Sequence, residues 1–156
     1  LRTILDSALA LAYNDFDLKQ HYDFKTIRIK TRYDPTLLPA RCQESKIQQV
    51  FFNILKNAAQ ALMEQGDRDD SRITLRAFQE GSFICAQIED NGPGMDPATR
   101  KRVFEPFFTT KPVDRGTGLG LSIAYFIIVE DHGGHLSVQS EEGRGTCFTI
   151  RLPAVR

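Results

Sequence analysis

The stretch Phe83-Ile-Cys-Ala-Gln-Ile-Glu-Asp-Asn-Gly-Pro-Gly-Met95 decides how this chain folds. It opens as an apolar strand, ends that strand on an acid, Asp90, and then breaks it with Asn91-Gly-Pro-Gly94. Upstream, Ser71 to Phe78 reads as a second strand, joined through a short turn at Glu80-Gly81. Downstream, Leu136 to Ser140 and Thr146 to Leu152 form a final hairpin around Gly143 to Gly145. Phe24 to Tyr33 alternates through Ile27, Ile29 and Thr31 and reads as a further strand, broken by Pro35 and Pro39. Helical runs lie between. Residues 1 to 21 place Ile4, Leu5, Ala8, Leu11, Ala12 and Phe16 near helical spacing. Glu44 to Glu64 puts Phe51, Leu55, Ala58 and Leu62 on one face, with Gly66 near its end. Pro97 starts a short helix, and Gly118 to Asp131 is a second long one closed by Gly133-Gly134. Hairpin strands and helices that each need one covered face imply a two-layer α/β (α+β) sandwich.

The chain has 156 residues, which suits one domain, 1–156, with a single core. Formal net charge is zero, so nothing global argues for nucleic acid or an anionic membrane. No apolar run approaches membrane-spanning length. The chain starts at Leu1 and runs straight into helical periodicity, which reads as a fragment of something longer. Cys42, Cys85 and Cys147 are scattered and lack metal-ligand spacing, so they read as free thiols of a reducing cytoplasm.

Three further motifs join the Asp90 segment. Asn53-Ile-Leu-Lys-Asn57 places two amides one helical turn apart, on a stripe that Gln49 and Gln60 extend. A solvated face is the ordinary explanation. Against it, asparagine is a poor helix former, exposed faces usually carry Lys or Glu, and Phe51, Phe52, Ile54 and Leu55 flank this stripe. An amide oxygen is a sensible hard ligand for magnesium. Lys56 is either a phosphate contact or a solvated lysine. Asp90 is either a turn aspartate or a carboxylate at a buried strand end that needs a donor. The exocyclic amine of adenine is such a donor, whereas guanine presents an oxygen there. Gly92 and Gly94 would let backbone approach the base. Phe104-Glu-Pro-Phe-Phe-Thr-Thr-Lys111 is a loop with three phenylalanines, followed by hydroxyls and a charge. Gly116-Thr-Gly-Leu-Gly-Leu-Ser122 runs into a helix, offering N–H groups and a helix dipole to phosphate.

In this order and spacing, the motifs resemble the ATP-binding catalytic domain of sensor histidine kinases, within the gyrase, Hsp90, histidine kinase and MutL superfamily. The resemblance covers almost the whole chain. It implies the Bergerat ATP-binding fold: a mixed, mostly antiparallel sheet with helices on one face. It implies ATP and Mg2+ as cofactors, with Asn57 as the metal ligand and Asn53, Lys56 and Lys111 positioning phosphates. The implied nucleotide site comprises Asn53, Asn57, Asp90, Gly92, Gly94, Met95, Phe107, Thr109, Thr110, Lys111, Gly116, Thr117, Gly118, Leu119, Gly120, Leu121 and Thr146. In the family the phenylalanine segment is a hydrophobic clamp that also contacts the partner domain. Gly143-Arg-Gly-Thr-Cys-Phe148 resembles the last family motif, a turn and strand behind the base, though an ordinary hairpin explains its glycines equally well. His132 and His135 read as structural.

The resemblance further implies a protein histidine kinase of two-component signal transduction. ATP's γ-phosphoryl group would pass to a histidine on a separate dimerisation and phosphoacceptor domain, then to the receiver domain of a response regulator. The chain itself is expected in the cytoplasm without direct membrane contact, whether or not the parent is membrane-anchored. Related ATPases keep a water-activating glutamate where this chain has Asn53, which has no useful basicity. The acceptor motif is missing: His21 is followed by Tyr22, not an acid. Gln60 is a second departure, at a place where some members carry a basic residue, and is expected to weaken phosphate binding. Two other classes stay open: a stand-alone serine kinase of the anti-sigma type, and a nucleotide-holding scaffold without transfer.

Overall fold

The computed structural model describes residues 1–15, 24–66, 69–111 and 118–155. In chain order its elements are α1 (Arg2–Asn14), a 3-10 turn (Phe24–Thr26), β1 (Arg28–Tyr33), α2 (Glu44–Glu64), β2 (Arg72–Glu80) and β3 (Phe83–Asp90). There follow α3 (Pro97–Arg102), α4 (Gly120–Phe126), a π-helical turn (Ile127–Asp131), β4 (His135–Glu141) and β5 (Gly145–Pro153). The five strands form one sheet in the order β1-β2-β3-β5-β4. β1 runs parallel to β2 and every other pairing is antiparallel. A parallel pair needs a crossover, and α2 lies between β1 and β2 in the chain.

The pairing register sorts side chains into rows. Leu75, Ile88, Phe148 and Val138 form one row, and Ala77, Ala86, Ile150 and Leu136 the next. These rows pack with Leu5 and Ala8 of α1, Val50, Phe51, Ile54 and Leu55 of α2, and Ala124 of α4 into one apolar core. The helices therefore cover this face of the sheet. The opposite face carries Arg76 bonded to Glu89 at 3.2 Å and Gln87 bonded to Thr149 at 3.2 Å. One row on the helix-facing side breaks the apolar pattern: Ile73, Asp90, Thr146 and Ser140. The end of the sheet that faces the helices is thus polar.

Three elements differ from their sequence reading. The first helix stops at Asn14, where Asp15 is extended and Asn14 Nδ2 donates back to the Ala10 carbonyl at 2.9 Å. Phe16 and His21 lie outside the described residues. Leu11 is exposed, so the buried stripe of α1 is Ile4, Leu5, Ala8 and Ala12. Phe24 is not in the strand: Ile27 N–H donates to its carbonyl in the 3-10 turn, and its buried ring stands edge-on to Tyr13 at 5.0 Å. The expected second long helix is α4 followed by the π turn. The wider turn leaves the Ile127 carbonyl to the His132 ring, with Nδ1 at 2.7 Å, while His132 Nε2 accepts the Gln43 N–H at 3.1 Å. Accepting on Nε2 makes Nδ1 the donor, so His132 ties the end of this segment to the start of α2. Both histidines are structural, His135 packing edge-on to Phe83.

Candidate functional site

Asp90 is the last residue of β3 and only 3% exposed. Burial pushes its carboxyl up to about 6, against partial relief from the Gly92 and Thr146 backbone amides; Glu89 pushes it further up. Gly92 N–H donates to Asp90 Oδ1 at 2.9 Å. The loop that follows is pinned on both sides. Asn91 Oδ1 accepts the Arg72 N–H at 2.8 Å, and its Nδ2 donates to the Asp70 carbonyl at 2.7 Å. Gly143 N–H donates to the Pro93 carbonyl at 2.7 Å, and Met95 N–H to Ser140 Oγ at 2.8 Å. Glycine is required here by the protein's own packing. Gly94 sits at φ +72°, and a Cβ there would lie 2.1 Å from the Glu141 carbonyl oxygen. A Cβ on Gly145 would lie 2.0 Å from the Asp90 carbonyl oxygen, so this glycine lets β5 close beside Asp90.

Thr146 reaches the Asp90 carboxylate through its amide, while its hydroxyl lies 2.8 Å from Ser140 Oγ. Ser140 Oγ also donates to the Gly145 carbonyl at 3.1 Å, so its single proton is spent there and the Thr146 hydroxyl donates to Ser140. Ser140 has no signature in the sequence; only the β4–β5 register brings it to Thr146.

α2 is the spine of the site. Asn53, Asn57 and Gln60 follow one another along one stripe. Asn53 Nδ2 donates to the Gly120 carbonyl at 3.1 Å, at the start of α4. Asn57 Oδ1 accepts from Lys111 Nζ at 3.4 Å. Gln60 Oε1 accepts from the same ammonium. A Cβ on Gly92 would lie 3.6 Å from Ala61 and 2.8 Å from Asp90 Oδ1, so the Asp90 loop abuts α2 one residue beyond Gln60. Residues 53 to 61 span about 12 Å of helix at ~1.5 Å per residue. Along that length α2 meets the glycine-rich start of α4, then the Lys111 loop, then the Asp90 loop. The motifs separated in sequence are gathered in linear order.

Other sequence-predicted residues are less engaged. Lys56 is half-buried close enough to Lys111 for their charges to oppose each other. Burial holds the Lys111 ammonium below the usual lysine range, Glu64 acting the other way. Met95 and Leu121 pack against the core. Thr109 and Thr110 are exposed, and Thr109 Oγ1 accepts the Lys111 N–H at 3.0 Å. Phe104 packs on Tyr125 and Phe148, and Phe108 lies under the Arg102 guanidinium at 4.4 Å. Phe107 is 73% exposed with φ +64°, rare for a bulky residue, and its N–H donates to the Gly118 carbonyl at 2.8 Å. Leu119 lies at the N-terminal end of α4 beside Gly118. Gly116 and Thr117 lie outside the described residues. The three cysteines are free, and burial raises each thiol above its usual range. Among the described residues no helix is long and apolar enough to cross a membrane.

A buried carboxylate at the sheet end, an amide-bearing spine and a glycine-bearing helix start define a class. Residues 42–156 match the histidine kinase-, DNA gyrase B- and HSP90-like ATPase family, and the chain belongs to it. Within that family its likeness is to sensor histidine kinases. It is 44% identical over 115 residues to sporulation kinase E of Bacillus subtilis, covering 74% of this chain and 15% of that protein. It is 34% identical to the sensory histidine kinase/phosphatase NtrB of Rhizobium meliloti, covering 99% of this chain and 40% of that protein. The catalytic domain of histidine kinase ThkA superposes with TM-score 0.79 at 25% identity, covering 99% of this chain and 92% of that one. The chain thus spans less than half the length of these two curated relatives, and the fold is that of a histidine kinase catalytic domain.

Proposed function

We propose that this chain binds Mg-ATP and presents its γ-phosphoryl group to a histidine on a separate dimerisation and phosphoacceptor domain of a longer kinase, for relay to a response regulator. The observation that carries the reading is the linear order along α2: Asn53 at the start of α4, Asn57 at Lys111, Ala61 at the Asp90 loop. A nucleotide laid along that spine puts its base at Asp90 and its phosphates toward Asn57 and Lys111. Asp90 accepts the exocyclic amine of adenine, and burial makes that bond selective because guanine offers an acceptor instead. Lys111 and Asn53 hold phosphate oxygens. Asn57 fits magnesium by chemistry: its hard amide oxygen already faces a cation, the Lys111 ammonium. When bound there, magnesium would neutralise charge on the transferring phosphoryl group. Asn53 carries no base, so the site orients ATP for transfer and leaves water unactivated.

Titration calorimetry with ATP, ADP and GTP, with and without Mg2+, tests this reading. ATP and ADP should bind in a magnesium-dependent way and GTP at least about tenfold more weakly, as one mispaired buried acceptor requires. Equal affinity for GTP would remove the adenine assignment.

A further inference from the structure

We infer that Gln60 is a positioning residue of the nucleotide site, whose buried side-chain oxygen holds the Lys111 ammonium over Asn57 and so places a cation from the loop where phosphates would lie. The inference rests on the reading above and deepens it.

Gln60 is 6% exposed, on a helix whose neighbouring buried residues are Ala58, Ala59 and Leu62. An amide at such a position costs folding free energy unless it is bonded. Its oxygen faces Lys111 Nζ. Lysine only donates, so this contact fixes which end of the Gln60 amide points at the loop. The same ammonium is 3.4 Å from Asn57 Oδ1, so one cation is shared between the Gln60 and Asn57 amide oxygens. The backbone is set as well: the Thr109 hydroxyl oxygen accepts the Lys111 N–H at 3.0 Å. Lysine is a flexible point charge that loses much rotamer freedom when it is fixed. A second acceptor one turn along α2 keeps it beside Asn57 before any phosphate arrives, which lowers the ordering cost of binding. The labour is thus divided, with the charge on Lys111 and its placement on Gln60.

The test compares wild type, Gln60→Leu, the near-isosteric Gln60→Glu, Lys111→Met and two double variants, Gln60→Leu/Lys111→Met and Gln60→Lys/Lys111→Met. The probes are a non-hydrolysable Mg-ATP analogue and adenosine. Gln60→Leu should lose about tenfold in analogue affinity, the worth of one charge-assisted hydrogen bond, and keep adenosine affinity. Gln60→Glu should lose a similar amount by neutralising Lys111, which covers the case of a Leu variant that fails to fold. Gln60→Leu should add nothing in a Lys111→Met background, because the two act as a unit. The double variant Gln60→Lys/Lys111→Met should regain most of the loss, because it returns a cation to the same place. A purely structural role would not give that rescue. Independent, additive losses, or adenosine and analogue affinities falling together, would overturn the inference. A wild type that binds the analogue while Gln60→Leu and Gln60→Glu match it would overturn this inference alone. A wild type that binds no nucleotide would overturn the functional reading and this inference with it.

Discussion

Asn53 and Gly120 are joined directly: the Asn53 side-chain N–H donates to the Gly120 carbonyl at 3.1 Å, across 67 positions of sequence. The bond turns the amide nitrogen toward α4 and leaves the Asn53 oxygen as an acceptor only. It also ties the glycine-bearing start of α4 to the spine that carries Asn57 and Gln60. Asn53 thus has a structural duty beside its proposed one. A glutamate there would present only acceptors to the Gly120 carbonyl, so the ATPase residue and this contact are incompatible.

Asp90→Asn should weaken ATP binding by about 1–3 kcal/mol, because a charge-assisted bond to the adenine amine is replaced by a mismatched amide. The same variant should fold well, since removing a buried charge relieves desolvation. Calorimetry and thermal melting of the variant read the two effects separately.

The pH dependence follows from the sign of the Asp90 shift. Its carboxyl is raised from 3.8 to about 6, chiefly by burial, so the folded chain holds the proton more tightly than the unfolded one. Stability without nucleotide should therefore fall as pH rises from about 4 to about 6 and then level off. Nucleotide affinity should move the opposite way, weakening as pH drops through about 6, because the adenine amine needs the ionised form. Urea unfolding and ADP titration across this range, each repeated on Asp90→Asn, check it. Both slopes should flatten in the variant.

Asn57→Ala should abolish most of the magnesium dependence of ATP binding while leaving the melting temperature near wild type. Asn57 is half-buried, and the packing of α2 is carried by Val50, Phe51, Ile54, Leu55 and Leu62. A variant that melts far lower without nucleotide would make Asn57 a structural residue.

Gly94→Ala should destabilise the chain by about 2 kcal/mol or more, since left-handed backbone is strained for any side chain. The new Cβ would also lie 2.1 Å from the Glu141 carbonyl oxygen, a backbone atom that cannot swing away. Gly143→Ala, at φ +83° with nothing within 4 Å, should cost less. Chemical denaturation of the pair separates collision from backbone strain.

Strong local periodicity carried much of the fold. α2 spans Glu44–Glu64 and β3 spans Phe83–Asp90 as their sequences indicate, because each repeats one period without interruption. The π turn at Ile127–Asp131 was not legible, since its apolar residues fit an α-helix equally well and only the His132 contacts favour the wider register. Phe24 is held by Tyr13, a tertiary contact that overrides strand alternation. At the candidate site, Asn53, Asn57 and Asp90 could be named because polar side chains in apolar surroundings are anomalous, and Lys111 because the family resemblance points to it. Ser140 and the duty of Gln60 could not, because both depend on pairings across many residues: β4 with β5, and Lys111 with α2.

Phosphoryl transfer to a histidine in trans is the most direct measure of the central claim. Labelled ATP is incubated with this chain alone and with the histidine-bearing helical domain of its own kinase. Alone, the chain should leave ATP largely intact, since Asn53 offers no base and base catalysis is worth roughly 10²–10⁴-fold. With the helical domain, label should appear on that domain as an acid-labile, base-stable phosphohistidine, and Asp90→Asn should diminish it. Rapid hydrolysis by the chain alone, or an acid-stable phosphoserine on an added protein, would contradict the account.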